Sequence, residues 1–295
     1  MQTKKYEVFP GISLLYRSAA LREEAPGEEK KDTVFEISHC KEGRAECRMR
    51  SAYFTLSPGD LAIVCGRDRE PGEFFPQGEY TGITVVIDTA RTPECLSCFL
   101  KDVNVSPAAL MHRFCDGGRF YISRSDQRIA HIFSELYSVP QAVRDGYYKI
   151  KVMELMLFLS TLDVSRNENA AHTVSEAQLE LARGISGYLV GHAEGRVTLE
   201  QLSAVFHVSG TGIKNCFRSV YGTSPHAYMR TYKMKLAADL LVRTDQSVLE
   251  IAGSVGFDNG SKFAKAFREV MGLSPLAYRK QHTGRAAALA DGGKA

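Results

Sequence analysis

Two sets of polar side chains have the types and the spacing that suit contact with a nucleic acid. Within each set the residues recur mostly at intervals of three and four positions, which places them on one face of a helix. The sets are Thr211, Lys214, Asn215 and Arg218 in the first, and Ser261, Lys262, Lys265 and Arg268 in the second. Asparagine can pair with adenine and lysine can donate to guanine, whereas an arginine one turn further along reaches phosphate. We expect a DNA-contacting surface; the alternative is an ordinary solvated helix face.

The two sets lie in a segment of sequence that is repeated. Residues 217–228 return as residues 267–278, with eight of twelve positions identical. Ahead of each copy lie a short helix signal, a turn and a second helix signal. Each copy therefore predicts a helix-turn-helix unit followed by a further helix.

The two copies also have the same sequence signals at the starts of their helices. Thr198 with Gln201, and Ser247 with Glu250, have the spacing of a capping box, in which two side chains satisfy two backbone N–H groups. A Ser-Pro pair, at 224–225 and at 274–275, then supplies an N-cap and a first helical residue in each copy. Four helix starts are thus predicted.

Apolar residues inside each unit are spaced so that two crossed helices would share a small core. They are Leu202, Val205, Val208, Ile213 and Phe217 in the first unit, and Ile251, Val255, Phe257, Phe263 and Phe267 in the second. We expect these side chains to be buried, which leaves the polar sets on the outer faces.

The charge distribution favours DNA over the solvated-face alternative. From Gly195 to Arg285 the chain has 13 Lys and Arg against 6 Asp and Glu, a net charge of +7, although the whole chain carries only +3. The basic excess coincides with the repeats, as the neutralisation of phosphates requires.

The repeated region resembles the AraC/XylS family of bacterial transcription regulators. The resemblance is carried by residues 202–228 and more strongly by residues 247–268 with 272–279. It implies two helix-turn-helix subdomains joined by one long helix, here residues 224–243. It also implies binding to promoter double-stranded DNA, control by a small-molecule effector, and activation through RNA polymerase more often than repression.

The first unit departs from the family pattern at the start of its second helix. Gly210 and Gly212 stand there, and glycine weakens a helix by about 1 kcal/mol relative to alanine. We therefore expect base contacts from the second unit more than from the first. The opposite interpretation, that glycine lets the backbone approach DNA closely, stays open.

The first half of the chain predicts a different kind of domain. Short β-rich runs at residues 34–37, 53–56, 61–64 and 82–87 are separated by Gly- and Pro-containing turns, which is typical of a small antiparallel barrel or jelly roll. The Pro58-Gly59-Asp60 turn resembles that of the cupin-like sensor domains found in AraC-type regulators. The expected fold is α+β: an N-terminal cupin-like β-barrel with flanking helices and a C-terminal all-α tandem helix-turn-helix domain.

Two helices should follow the barrel, at about residues 126–137 and 146–162. The second is apolar nearly all round, so one side, including Met156, needs a partner, and we expect a homodimer. The predicted domains are 1–165 for sensing and dimerisation, 166–175 as linker, 176–284 for DNA binding and 285–295 as a flexible tail. The alternative of an architectural DNA-binding protein leaves the large N-terminal domain without a role.

Aromatic residues are the candidates for an effector pocket in the barrel. They are Phe35, Phe54, Phe74, Phe75 and Tyr80. The alternative is that they fill the core. A cupin-type enzyme is disfavoured because the sequence has no H-x-H pair of metal ligands. We accordingly expect no catalytic residues and no cofactor.

Seven cysteines, an odd number, argue against a framework of disulfides. Cys95 and Cys98 form a C-x-x-C pair that, with Cys115 or His112, could hold zinc or respond to redox state. A regulator with such a metal- or redox-responsive site is the alternative function; ordinary reduced thiols are the simpler interpretation. The sequence shows no signal peptide and no long apolar run, so we expect a cytoplasmic protein without membrane association.

Overall fold

A computed structural model describes residues 2–20, 31–49, 53–75, 79–93, 96, 102–103, 105–116, 120–166 and 173–282. The chain divides into two compact units, residues 1–176 and 177–295. Several predictions lie outside the described residues: those for Cys95 and Cys98, for most of the linker and for the tail. The side chain of Phe74 lies outside them as well.

The described residues of the N-terminal unit form ten strands. They are β1 Gln2–Phe9, β2 Ile12–Ala20, β3 Val34–Gly43, β4 Ala45–Met49, β5 Tyr53–Leu56, β6 Asp60–Cys65, β7 Arg69–Phe74, β8 Glu79–Asp88, β9 Tyr121–Arg124 and β10 Thr173–Val174. Antiparallel pairing gives a six-stranded sheet in the order β1-β2-β8-β3-β6-β9 and a four-stranded sheet in the order β10-β5-β4-β7.

The prediction of a β-rich N-terminal domain is confirmed, and each of the four predicted β runs lies within a strand. The described strands do not form the predicted closed barrel, because their pairing gives two separate sheets. The Pro58-Gly59-Asp60 turn is present, with Gly59 at a φ of +85°. That turn precedes β6, where side chains of alternate residues face two different cores.

One core lies where helices pack on the six-stranded sheet. These helices are α1 Pro107–Cys115, α2 Gln127–Leu136 and α3 Arg144–Thr161, and their buried side chains cluster with Phe35, Ile37 and Ile63 of the sheet. A second core contains apolar residues of both sheets, among them Phe54 and Val64. The two flanking helices predicted at 126–137 and 146–162 correspond to α2 and α3.

Helix α3 is less available to a partner than its sequence indicates. Met156 is fully buried in the core of its own unit, and Val152, Leu155 and Leu159 are buried beside it. The expectation that Met156 lies on an outer, partner-seeking face is therefore wrong. The exposed apolar side chain of this helix is Ile150, which is 57% exposed.

The C-terminal unit is helical. Its helices are α4 Glu176–Gly191, α5 Leu199–Phe206, α6 Gly210–Tyr221, α7 Pro225–Arg243, α8 Val248–Ser254, α9 Gly260–Met271 and α10 at 275–282. None of the helices in the described part of the chain is long and apolar enough to cross a membrane.

Both predicted capping boxes are formed. The Thr198 N–H donates to Gln201 Oε1 at 2.8 Å and the Gln201 N–H donates to Thr198 Oγ1 at 3.3 Å. The corresponding distances for Ser247 and Glu250 are 2.7 and 3.2 Å. These bonds fix the starts of α5 and α8, since each satisfies a backbone donor that the first turn of a helix leaves free.

The repeat is also visible in the backbone. His207 and Gly256, with φ of 55° and 76°, occupy the turn inside each unit, and Gly222 and Gly272 cap the second helices with φ of 69° and 78°. These left-handed conformations suit glycine. Two residues rather than one separate the turn residue from the next N-cap in the second unit, so its turn is one residue longer.

The predicted cores of the two units are formed, with one exception. Leu202, Ile213 and Phe217 are buried in the first unit, and the second buries four of its five predicted residues and packs Phe257 against them. Val208 is half-buried. The prediction for Val205 is wrong: it is 45% exposed, whereas Leu202 is the residue that the short helix α5 buries fully.

Candidate nucleic-acid interface

The eight predicted contact residues all lie on exposed positions of two equivalent helices. Four are on α6 (Thr211, Lys214, Asn215 and Arg218) and four are on α9 (Ser261, Lys262, Lys265 and Arg268). The opposite face of each helix is buried through Ile213 and Phe217, or through Phe263 and Phe267. Burial of the apolar stripe therefore turns the polar set outward in both units.

The two glycines of α6 have different surroundings. A Cβ on Gly212 would lie 2.8 Å from Val208 Cγ1, so the missing side chain lets the turn pack against the start of the helix. A Cβ on Gly210 would meet nothing closer than 3.8 Å. Helix α6 has 12 residues, as many as α9, and its N-cap Ser209 accepts from the Gly212 N–H at 3.2 Å. The glycines have not shortened the helix.

A cleft of about 670 Å³ lies within the C-terminal unit, between its two helix-turn-helix units, and we call it the basic cleft. Lys214 of α6 and Lys262 of α9 both line it. Among the further basic residues that line it are Arg196, His226, Arg230 and Lys233. Two acidic residues, Glu194 and Asp258, also lie there. The cleft thus joins two predicted contact residues to a group of basic residues that the sequence analysis missed.

Three of the missed residues lie outside the repeated segments, and the fourth, His226, occupies a position at which the two copies differ. Arg196 is in the loop before α5, and the other three belong to the connecting helix α7. The regional excess of positive charge included them, but no spacing rule pointed to their faces. Their common position depends on how α7 packs against both units, which is a tertiary property.

Within the C-terminal unit, contacts of α7 and of the loop before α5 hold the two helix-turn-helix units together. Lys233 Nζ donates to the Gly195 carbonyl at 3.2 Å, and burial lowers the pKa of Lys233 below its ordinary value. Arg230 pairs with Glu269 of α9. A Cβ on Gly256 would lie 2.8 Å from the Glu194 carbonyl oxygen, so the turn of the second unit closely approaches the loop ahead of the first.

The metal prediction in the N-terminal unit has no counterpart among the described residues. They contain no group of three or more His, Cys, Asp or Glu side chains placed to hold a metal ion. Cys115 is buried at the end of α1, and the exposed ring of His112 pairs with Asp116 at 3.1 Å. Since Cys95 and Cys98 lie outside the described residues, a site that includes them remains a prediction.

The predicted aromatic pocket residues are buried in two different cores. Phe35 belongs to the core beneath the helices, whereas Phe54, Phe75 and Tyr80 belong to the core shared by the two sheets. Phe75 and Tyr80 stack with ring centroids 5.0 Å apart. Their packing agrees with the alternative that aromatic residues fill the core, and Phe35 does not share a surface with the others.

Comparisons with known proteins bear on the C-terminal unit. Residues 202–281 match the family described as "Helix-turn-helix domain". Among curated proteins, the "HTH-type transcriptional regulator MtrA" of Neisseria gonorrhoeae is 34% identical over 77 residues, 26% of this chain and 26% of that protein. The "RCS-specific HTH-type transcriptional activator RclR" of Escherichia coli is 36% identical over 75 residues, 25% of each chain. This chain therefore spans about a quarter of the length of these relatives.

A similarity to solved structures was also found. The DNA-binding domain of AdpA in complex with a target DNA is 30% identical, with a TM-score of 0.34, and the match covers 35% of this chain and 94% of that one. A probable AraC family transcriptional regulator from Rhodopseudomonas palustris is 28% identical, with a TM-score of 0.33, covering 35% of this chain and 97% of that one.

Proposed function

We propose, from the membership of this chain in the AraC/XylS family of transcription regulators, that it binds promoter DNA in a sequence-specific manner. The observation that carries the proposal is the pair of exposed polar faces on α6 and α9, which open onto one basic cleft. Two helices of this kind enter successive major grooves, about 34 Å apart, on one side of the duplex.

The two helix faces carry different residues and should therefore recognise different base sequences in the two grooves. The first presents Thr211, Lys214 and Asn215, and the second presents Ser261, Lys262 and Lys265. Because asparagine and lysine favour different bases, the site for one protomer should be asymmetric. Arg218 and Arg268, in the last turn of each helix, are placed for phosphate contacts.

The basic cleft supplies the contacts between the grooves. Arg196 and His226 are exposed on its rim, and Lys233 is half-buried within it. DNA that runs from one major groove to the next presents phosphates to the surface between the two helices. We assign these side chains to phosphates, where they add affinity without sequence preference.

Selection from a random DNA library with the full chain tests the proposal. We expect an enriched, asymmetric sequence with two conserved blocks one helical turn apart. A library that shows no enrichment, or a palindrome within the reach of one protomer, would contradict it.

The N-terminal unit is the proposed sensor. We assign residues 1–165 to sensing and dimerisation, 166–175 to the linker and 176–284 to DNA binding. We expect the chain to form a homodimer, and its resemblance to the family implies activation through RNA polymerase more often than repression. We expect no catalysis from it.

The interior between the two sheets supports the assignment of an effector site. Arg69 of one sheet pairs with the buried Glu36 of the other, and Ser38 Oγ lies 3.0 Å from Thr84 Oγ1. Charged and polar groups are costly to bury, so a polar interior of this kind is more typical of a ligand site than of a purely structural core. A polar small molecule, bound in a cupin-like domain beside Phe54, Phe75 and Tyr80, is the proposed effector.

A further inference from the structure

Lys233 is a basic residue that lies within the basic cleft and is held there by the backbone. Its side chain is half-buried on α7, and its ammonium donates to the Gly195 carbonyl at 3.2 Å. A Cβ on Gly256 would lie 2.9 Å from Lys233 Nζ, so the ammonium rests against the turn of the second unit. Backbone on two sides therefore fixes the position of this positive charge.

The ammonium of Lys233 has no counterion in the part of the chain that the structure describes. Within it, no carboxylate lies at ion-pair distance from Lys233 Nζ, whereas Arg230, three residues earlier on α7, is paired with Glu269. Burial lowers the pKa of Lys233, which is the effect of partial removal from water without a compensating negative charge. An anion bound in the cleft would supply that charge.

Apolar side chains share the basic cleft with this ammonium. They are half-buried and so keep part of their surface open to the cleft: Val197, Leu199, Met229 and Phe257. A phosphate is hydrophilic and does not cover such a surface, whereas an organic molecule removes it from water and gains affinity. The volume of about 670 Å³ lies in the range of small-molecule sites. The lining therefore fits an organic anion.

We propose that the basic cleft is the binding site of a small aromatic monocarboxylate that competes with DNA. The carboxylate pairs with the ammonium of Lys233, and the apolar body lies against Met229 and Phe257. An aromatic body is favoured, because a ring packs well against the ring of Phe257 and the polarisable sulfur of Met229. A single carboxylate matches the single charge of Lys233.

Occupancy of the cleft by this ligand excludes DNA. In the proposed DNA complex Lys233 and Arg196 contact phosphates, and one ammonium cannot neutralise a phosphate and a carboxylate at once. The competition therefore rests on the proposed function, whereas binding of the carboxylate does not. The site is separate from the effector site proposed between the two sheets, because it lies wholly in the C-terminal unit.

Isothermal titration calorimetry of the full chain with 2-naphthoate tests the recognition of charge. The matched probe is 2-naphthamide, which has the same rings and a neutral polar group. We expect the naphthoate to bind about tenfold more tightly or better at neutral pH. Lys233→Met should remove this preference, and Lys280→Met, at an exposed position of the same unit outside the cleft, should keep it. Equal binding of the two probes to the unsubstituted chain, or no binding of the naphthoate, overturns the proposal.

A spectrum of isotope-labelled methionine methyl groups locates the ligand even if Lys233→Met fails to fold. The Met229 resonance, assigned by its loss in Met229→Leu, should shift when 2-naphthoate is added. The resonance of Met156, which is buried in the N-terminal unit, is the internal control and should not move. A shift at Met156 without one at Met229 places the ligand in the N-terminal unit and overturns the proposal.

Titration of labelled cognate DNA in the presence of each probe tests the competition. The naphthoate should lower the affinity for DNA, and the naphthamide should have a much smaller effect. Binding of the naphthoate at Met229 with unchanged affinity for DNA would overturn the competition. If the chain binds no DNA while the calorimetry and the Met229 shift are as expected, the proposed function is wrong and the carboxylate site stands.

Discussion

Lys265 and Arg218 stand on equivalent faces but at different places along their helices. Lys265 lies in the first half of α9, and Arg218 lies in the last turn of α6. The first residues of a recognition helix reach base edges, while residues nearer its end lie beside the backbone of the duplex. The two positions should therefore contribute to binding in different ways.

Substitution of each residue by alanine separates the two contributions. We expect Lys265→Ala to relax base preference in one half of the site only, at a cost of about 1–3 kcal/mol on the cognate sequence. Arg218→Ala should weaken binding to all sequences and flatten the slope of log affinity against log salt by about one unit. Titrations of cognate and scrambled duplexes at several salt concentrations measure both effects. Equal losses of base preference in the two variants would contradict the assignment.

A prediction of the same kind follows for the basic cleft. Arg196→Gln removes one cation from its rim, so binding to every sequence should weaken and the salt slope should fall by about one unit. Lys149→Gln, an equal change of charge on an exposed position of the N-terminal unit, is the matched control. If the wild-type chain binds DNA and Arg196→Gln leaves the salt slope unchanged, the basic cleft does not contact DNA. The assignment of α6 and α9 would not be affected by that result.

Sequence patterns identified single residues only where local periodicity was sufficient. The exposed faces of α6 and α9 followed from helical spacing, because one face of each helix had to be buried. Val205 met the same spacing and yet is exposed, since the short helix α5 packs through Leu202 and Phe206 instead.

At the scale of the elements, Gly210 and Gly212 provide a matched pair of substitutions. Gly210→Ala meets no close neighbour and should raise the free energy of unfolding by up to about 1 kcal/mol, since alanine favours the helix. Gly212→Ala should lose that gain or reverse it, because its Cβ would lie 2.8 Å from the stiff side chain of Val208. Urea denaturation of the two variants measures the difference. Equal stabilisation by both would show that Val208 moves aside freely.

Capping residues determined helix boundaries well because they act locally. The boxes at Thr198 and Ser247 gave the starts of α5 and α8, and Ser224 gave that of α7. The sequence analysis did not predict strand β1. This strand lies at the edge of its sheet, and of its described side chains only that of Val8 is buried. A strand of this kind lacks a clear alternation of buried and exposed residues. The division into two sheets depends on long-range pairing, which no local pattern specifies.

At the scale of the whole molecule, the location of a dimer contact can be tested on α3. Ile150 is 57% exposed and Val143, just before the helix, is 54% exposed, so this end presents the apolar surface. If the homodimer uses it, Ile150→Glu should give a folded monomer by light scattering. Met156→Glu should instead unfold the unit, because Met156 is fully buried. A dimer that survives Ile150→Glu places the interface elsewhere.

Control by an effector requires that effector binding to the N-terminal unit changes the free energy of DNA binding by the C-terminal unit. An effector changes DNA binding only if it binds one arrangement of the protein more tightly, and a coupling of about 1–3 kcal/mol, or 5–150-fold in affinity, is usual. The polar interior between the sheets, with Glu36 paired to Arg69, is the proposed site.

A thermal-shift screen of the full chain against polar metabolites should therefore find a compound that raises its melting temperature. Cognate DNA should then change the affinity for that compound by the same factor as the compound changes the affinity for DNA, because binding linkage is reciprocal. Glu36→Gln should abolish the effect of the compound while DNA binding in its absence persists. If residues 177–295 alone respond to the compound as the full chain does, the sensor lies in the C-terminal unit instead.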